Sequence, residues 1–244
     1  MELKYYLEKA EQEGWAIGQF NFSDSKTLEA IVQAACALKA PVIIGTSEGA
    51  SKSVGLAQAV VLVKAYQAET GLPLFLNLDH GKSFGYIKKA IGAGYDAVHF
   101  DGSKLKLEQN IRETKKIVAY ARTLGILVEG EVGEIGGVLT EPQDALKFVQ
   151  ETQVDSLAVA VGSIHGLRSS LDLKKLRAIK EKIGEVPLVL HGGSGVPEAD
   201  VKKAIKSGVA KINISTALKI ARSSQSIKFI VEDKIKLFGS AHKA

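Results

Sequence analysis

Hydrophobic residues gather along this chain into short runs at near-even spacing. They read WAIGQFN (15–21), PVIIGTS (41–47), LPLFLNLDH (72–80), DAVHFDGS (96–103), ILVEGEVG (126–133), SLAVAVGS (156–163), VPLVLHGG (186–193) and AKINIST (210–216). Such near-continuous runs suit strands buried on both faces, as in a parallel sheet. Between them the apolar positions switch to helical spacing. In SDSKTLEAIVQAACALKA, Leu28, Ile31, Ala34 and Ala35 share one face, and Ser and Asp precede it as caps. SVGLAQAVVLVKAYQAETG closes on a glycine, a common helix stop. LEQNIRETKKIVAYARTLG, TEPQDALKFVQETQ, LDLKKLRAIKEKIG and PEADVKKAIKSG repeat the theme, and Pro197 suits the first turn of the last.

Eight strands alternating with helices predict an α/β fold, a (β/α)8 TIM barrel. The expected organisation is one barrel domain over residues 1–244, with a C-terminal helical extension from about 217 to 244. A helix over 2–13 is expected to cover the barrel bottom. An open doubly wound sheet is the alternative, and no G-x-G-x-x-G follows the first strand to support it.

Composition narrows the function classes. Of 244 residues, 45% are hydrophobic and 24% charged, which describes an ordinary globular chain. The net charge of +5 is spread over helix faces, a modest field that suits an anionic substrate. Aromatic residues are 6% and do not interleave with a basic stripe, so no nucleic-acid partner is expected. The single cysteine, Cys36, excludes an intramolecular disulfide and a multi-cysteine zinc site, and is expected in the core. MELKYYLEKAEQEG lacks signal-peptide character and no apolar run reaches 18 residues. The expectation is a cytoplasmic protein without a membrane span.

Barrel active sites form at the C-terminal ends of the strands. The unusual polar residues of this chain fall there. They are Asn21, Ser47, Asp79, His80, Asp101, Glu129, Glu131, His165, His191, Asn213, Ser215 and Thr216. Of five histidines, His99 lies inside the fourth strand and His242 in the tail. His80, His165 and His191 lie at three strand ends. Three imidazoles at one rim, with a fourth position open, suit a catalytic zinc ion, and cobalt or iron would accept the same donors. The glycine clusters VGSIHG (161–166) and HGGSG (191–195), which include Gly166, Gly192 and Gly193, let backbone N–H groups approach an oxyanion. With the hydroxyls of Ser194, Ser215 and Thr216 they suit a phosphate cradle. One substrate carrying a phosphate and a metal-binding oxygen pair is the simplest ligand for both.

LDHG, VEGEVGEIGG, AVAVGSIHG, LVLHGGSG and KINIST resemble, in order and spacing, the motifs of class II, metal-dependent fructose-bisphosphate aldolases. That family also includes tagatose-bisphosphate aldolase, and the resemblance covers nearly the whole chain. It implies that His80, His165 and His191 hold the catalytic Zn2+, and that Asp79 is the acid/base beside the first of them. It implies an alternate or second divalent position near Asp101 and Glu131. Gly166, Gly192, Ser194, Ser215 and Thr216 match the loops for phosphate and a monovalent cation, Na+ or K+. Asn213 matches a contact to the dihydroxyacetone phosphate moiety, and Asn21 and Ser47 match polar residues facing the substrate. The implied reaction is reversible cleavage of a ketose 1,6-bisphosphate, fructose 1,6-bisphosphate by default, into dihydroxyacetone phosphate and glyceraldehyde 3-phosphate. That places the protein in carbohydrate metabolism, in glycolysis for the fructose substrate, and implies a homodimer or homotetramer. The cleaved bond leaves negative charge for a Lewis acid to stabilise, and Asp79 would take the C4 hydroxyl proton. The lysine Schiff-base route is disfavoured. Lys211 opens the eighth strand at the barrel bottom and Lys82 lies beyond the His80 turn.

The chain departs from the family pattern in places. Asn77 stands where histidine is common, and Ser215 where aspartate or asparagine is common. The stretches after Gly137, His165 and Arg222 are short. Two readings stand: true deletions, or mobile segments absent from the sequence as written. Glu141 is expected to be a helix-cap acid and not a loop base. Tagatose bisphosphate or a related phosphosugar is the alternative substrate. A metal-assisted epimerase or isomerase, and a non-catalytic barrel that retains a ligand pocket, are the competing functions.

Overall fold

The computed structural model describes residues 2–244; Met1, the first residue of the expected domain, lies outside them. The strands are β1 (Ile17–Asn21), β2 (Val42–Ser47), β3 (Leu74–Gly81), β4 (Ala97–Phe100), β5 (Leu127–Val132), β6 (Ser156–Val159), β7 (Leu188–Leu190) and β8 (Val209–Ile214). All pair in parallel, and β8 returns to β1, so the sheet is a closed eight-stranded barrel. The helices are α1 (Leu3–Glu13), α2 (Ser25–Leu38), α3 (Glu48–Val54), α4 (Leu56–Thr70), α5 (Phe84–Ala93) and α6 (Leu107–Arg122). They continue with α7 (Pro142–Thr152), α8 (Leu173–Ile183), α9 (Glu198–Ile205), α10 (Thr216–Ile220) and α11 (Ser224–Phe238). Strands and helices alternate around a (β/α)8 TIM barrel, as the run spacing predicts.

Successive strand side chains point to opposite faces. One set, including Phe20, Ile44, Leu76, Val98 and Val128, packs outward against the helix ring in one continuous core. The other set fills the barrel. Its lowest layer, with Ile17, Ile43, Phe75 and Ala97, is closed by Leu3, Tyr6, Leu7 and Ala10 of α1. The expected bottom helix is therefore a hydrophobic plug. Above that layer the interior turns polar: Gln19, Asn77, His99, Glu129 and Lys211 are all buried.

Two aspartates repeat one device at the foot of the sheet. Leu76 N donates to Asp96 Oδ2 at 2.7 Å while Asp96 N donates to Leu76 O at 2.9 Å. Val128 N donates to Asp155 Oδ2 at 2.8 Å while Asp155 N donates to Val128 O at 2.9 Å. Each carboxylate satisfies a strand-end donor that the ladder leaves open.

The structure differs from expectation in four places. The helix expected from Ser53 breaks at Gly55, whose φ of 89° separates α3 from α4. α5 was not anticipated. Strands β4, β6 and β7 stop earlier than their apolar runs, because their ends turn into loops at the barrel rim. Cys36 is exposed on α2, not in the core: Leu28, Ile31, Ala34 and Ala35 take the buried face and the next residue faces out. The C-terminal stretch packs α11 against α2, α9 and β1, where it fills the ring between first and last helices.

Candidate active site

The polar strand ends meet in a cleft of about 570 Å3 at the C-terminal mouth of the barrel. Asn21, Ser47, Asp79, His80, Asp101, His165, His191, Gly192, Ser194, Asn213, Ser215 and Thr216 all line it. Glu131, Gly166 and Gly193 do not, and each touches residues that do. Lys52, Lys82 and Lys219 also line the cleft and were not anticipated. Lys52 pairs with Glu48 at 2.6 Å, and all three lysines are exposed on the rim.

His80 is placed by a break in regular pairing. The β3–β4 register shifts between Leu78 and Gly81, and His80 takes φ 52°, a left-handed value that is costly for a residue with a Cβ. The backbone N–H of His80 donates to His99 Nδ1 at 3.1 Å, so a buried histidine holds the bulge. His80 Nδ1 then lies 2.8 Å from Asp101 Oδ2, and its Nε2 lies 3.1 Å from His191 Nδ1. Strand β7 delivers His191 from below, fully buried, with Nε2 2.7 Å from Glu129 Oε1. The second Glu129 oxygen accepts from Lys211. His165, on the exposed loop after β6, brings its ring centroid to 5.4 Å from His80 and 6.4 Å from His191.

Among the described residues two compact donor groups result, each with its ligand atoms within 4.8 Å of one another. One is Asp79, His80, His99 and His191; the other is His80, Asp101 and Glu131. His165 stands outside both, at the open side of the cleft. The donor set fits a divalent cation of the zinc type. Imidazole nitrogens face one gap, and a carboxylate oxygen, Glu131 Oε2, is buried with no hydrogen-bond partner. His99 Nε2 lies 3.1 Å from that oxygen without hydrogen-bond alignment, so it too is unpartnered.

Charge organises the same cluster. Burial alone would lower the His80 pKa, but Asp79, the Asp101 hydrogen bond and Glu131 raise it to about 9. Burial opposes ionisation of Asp79, yet His80, His191, His99 and Lys211 hold its carboxyl well below the usual range. Glu129 is ionised against the same penalty, chiefly by Lys211 and then by His191. Burial and the neighbouring imidazoles push His191 down despite Glu129, because two rings and desolvation outweigh one carboxylate. His165 is lowered by burial, His80 and His191. The cluster thus holds His165 and His191 neutral beside ionised carboxylates, while His80 must give up a proton when a metal binds.

Asp79 is gripped from two sides. Asn21 Nδ2 donates to its Oδ2 at 2.6 Å and Asn213 Nδ2 to its Oδ1 at 3.1 Å. Asn213 Oδ1 is buried and unpaired. The loops beyond β6, β7 and β8 interlock around the opposite wall. Ala217 N donates to Ser194 Oγ at 3.3 Å, and a Cβ on Gly166 would sit 2.8 Å from Thr216 Cγ2. At Gly195 a Cβ would fall 1.8 Å from the Leu167 carbonyl oxygen, so only glycine lets these loops close. Glu141 is the N-cap residue of α7, makes no side-chain cap bond, and pairs with Lys175 at 2.7 Å.

Sequence reasoning left Glu129 without a role and did not place His99, Lys211, Gln19 or Gly45 in the site. Each lies two residues before a rim residue on its strand, the period that points both into the barrel.

Comparison with known proteins comes to the same place. The family profile described as fructose-bisphosphate aldolase class-II matches residues 1–244. The crystal structure of the YdjI aldolase from Escherichia coli K12 is 34% identical. The match covers 100% of this chain and 98% of that one, with a TM-score of 0.90. A putative fructose-1,6-biphosphate aldolase from Coccidioides immitis is 28% identical over 99% of this chain and 97% of that one, with a TM-score of 0.90. Fructose-bisphosphate aldolase from Campylobacter jejuni shares the fold at 22% identity, with a TM-score of 0.86 over 99% and 95% of the two chains.

Proposed function

Since the chain belongs to the class II fructose-bisphosphate aldolase family and is a carbon–carbon lyase by that membership, we propose that it is a zinc-dependent ketose 1,6-bisphosphate aldolase. Fructose 1,6-bisphosphate is the first substrate to test, with dihydroxyacetone phosphate and glyceraldehyde 3-phosphate as products. One observation carries the reading. His80 Nε2 and His191 Nδ1 converge to 3.1 Å beside an ionised Asp79, with His165 across the open side.

His80, His165 and His191 would hold the ion, with Asp101 and Glu131 at hand for an alternate or second divalent position. A bound divalent ion supplies positive charge against the ketose oxygens where negative charge develops as the bond breaks. The protein's residues do the rest. Asp79, kept ionised, takes the C4 hydroxyl proton in cleavage and returns it to the aldehyde oxygen in condensation. Asn21 and Asn213 hold that carboxylate in place, and Asn213 Oδ1 offers an acceptor to a substrate hydroxyl. The loops carrying Gly166, Gly192, Gly193, Ser194, Ser215 and Thr216 bind a phosphate, and Na+ or K+ beside it belongs to the same proposal. Ser47 faces the cleft from the opposite wall. Lys211 is buried below the cleft and tied to Glu129, so it is out of a carbonyl's reach.

Tagatose 1,6-bisphosphate or a related phosphosugar is the second reading, supported by Asn77 and Ser215 where the family pattern has other residues. A homodimer or homotetramer belongs to the same reading and rests on the family resemblance. The deciding experiment loads the protein with zinc and follows triose phosphate release from stereoisomeric ketose bisphosphates. Release from one isomer names the substrate; release from none, with metal bound, overturns the proposal.

A further inference from the structure

Beneath the cleft runs a line of buried amides whose direction is forced from one end. Asn77 Nδ2 donates to Gln19 Oε1 at 2.8 Å, Gln19 Nε2 to Asn21 Oδ1 at 3.0 Å, and Asn21 Nδ2 to Asp79 Oδ2 at 2.6 Å. Asn21 turns its NH2 toward Asp79, whose carboxylate oxygen accepts. Its oxygen then takes the NH2 of Gln19, and the oxygen of Gln19 takes the NH2 of Asn77. The cost falls at the far end, where Asn77 Oδ1 is buried with no partner. Gln19, Asn21 and Asn77 are each at most 8% exposed, so water does not compete for these bonds.

Strand β2 makes room for the line. Gly45 pairs with Asn21 on one side and Asn77 on the other. A Cβ at Gly45 would fall 2.0 Å from Asn21 Oδ1 and 2.8 Å from Gln19 Nε2. The Gln19–Asn21 bond crosses the space that any larger residue would fill.

We propose that Gln19 and Asn77, accommodated by Gly45, are positioning residues: they form a one-way amide relay that fixes Asn21 and, through it, the Asp79 carboxylate. The inference rests on the reading of Asp79 as the proton-transfer group. Amides at neutral pH carry no transferable proton, so Asp79 exchanges its proton with the cleft alone. Asn213 holds the other oxygen, and loss of the relay frees one of two grips.

The test uses the full-length protein. Gln19→Met keeps the volume but removes donor and acceptor, so the Asn21 oxygen loses its partner and Asn21 is held by Asp79 alone. In zinc-loaded protein, kcat is expected to fall about 10- to 100-fold, the scale of a misplaced reacting group. KM and the zinc dissociation constant are expected to hold. Asn77→Leu should act in the same direction, and Asn77→His, which presents a ring N–H to Gln19, should recover most of the lost turnover. Asn77→Asp cannot donate, so it reverses the relay, turns the Asn21 oxygen onto Asp79, and should lower kcat furthest. In metal-free protein, the Asn21 side-chain NH2 protons should be protected from solvent exchange by NMR, and Gln19→Met should lower that protection, since only the bond to Asp79 then remains. A folded Gln19→Met protein with unchanged kcat and unchanged protection overturns the relay. If wild type cleaves no ketose bisphosphate, the functional reading fails, and the exchange measurement still decides the relay.

Discussion

His191 Nε2 lies 2.7 Å from Glu129 Oε1, and the other oxygen of Glu129 is held by Lys211 at the barrel centre. This contact commits one ring nitrogen of His191 to the interior, and so commits Nδ1 to the gap it shares with His80. A ligand histidine needs such a partner, because the hydrogen bond on one nitrogen sets the tautomer and aim of the other. Lys211 keeps Glu129 ionised where burial would otherwise neutralise it.

The pair should therefore act on metal affinity and on stability in separable ways. Glu129→Leu removes the His191 partner and should weaken zinc binding about 10- to 100-fold, measured by chelator competition. Lys211→Met strands a buried carboxylate and should destabilise the fold by about 3–5 kcal/mol in urea unfolding. The double variant should recover much of that stability without recovering zinc affinity. Additive losses in the double variant would deny the coupling.

Metal removal is the simplest check of the reaction class. Excess chelator should abolish cleavage, and zinc or cobalt should restore it. Borohydride with substrate should trap no adduct, since the cleft lysines are exposed rim residues and Lys211 is buried away from it. Full activity in chelator, or a covalent adduct, would remove the metal route. The pH dependence has a definite sign. Without metal, His80 is protonated up to about pH 9, and a ligand nitrogen must be neutral. Zinc affinity should rise about tenfold per pH unit toward that value and then level off.

Asp79→Ala separates proton transfer from metal binding. The variant keeps His80, His165 and His191, so zinc should still bind. Turnover should fall about 10²- to 10⁴-fold, the usual scale for a positioned acid/base. Unchanged turnover would take Asp79 out of that role.

These tests draw on residues of unequal legibility. The eight strands stood out because both faces are buried, which writes each one as an unbroken apolar run. The rim was legible for a related reason: Asp79, His80 and His191 interrupt those runs where a barrel opens to solvent. The layer below was hidden by the same continuity. Gln19, His99 and Lys211 sit inside apolar runs, and no periodicity in such a run marks which face is the lumen. The usable signal was pairing at i and i+2: Gln19 with Asn21, Asn77 with Asp79, His99 with Asp101, Glu129 with Glu131, Lys211 with Asn213. α5 was missed because Gly85 and Gly92 weaken its helical pattern, while burial of Ile87, Ala90 and Ile91 sustains it. The short loops close locally, as where Gly137 N donates to Glu134 O at 2.8 Å after β5.

Gly195→Ala tests the loop contact behind the proposed phosphate cradle. The added methyl meets the Leu167 carbonyl, a backbone atom that cannot rotate away. The two loops must separate, so KM for a phosphorylated substrate should rise in zinc-saturated protein; saturation is needed because His165, two residues before Leu167, rides on one of those loops. Equal KM values would show that the interlock is not needed for phosphate binding.

Asp96 and Asp155 predict how stability follows pH away from the cleft. Burial raises both carboxyl pKa values above the ordinary 3.8, against the backbone N–H bonds each accepts and the pull of Lys64 on Asp96 and of Lys4 and Arg122 on Asp155. A raised acid favours its neutral form in the fold. Below the unfolded value near 3.8 both states are protonated and no penalty exists. As pH climbs from that value to the raised folded ones, the unfolded chain ionises first and the fold loses stability; above them the penalty is constant and persists at neutral pH. Asp96→Asn keeps an acceptor for Leu76 N and removes that charge. It should raise the melting temperature at pH 7 and change it little at pH 3, with Asp155→Asn behaving alike. A drop in melting temperature at pH 7 would mean that the ionised oxygen, through its bond to the strand-end N–H, stabilises the fold more than desolvation costs it.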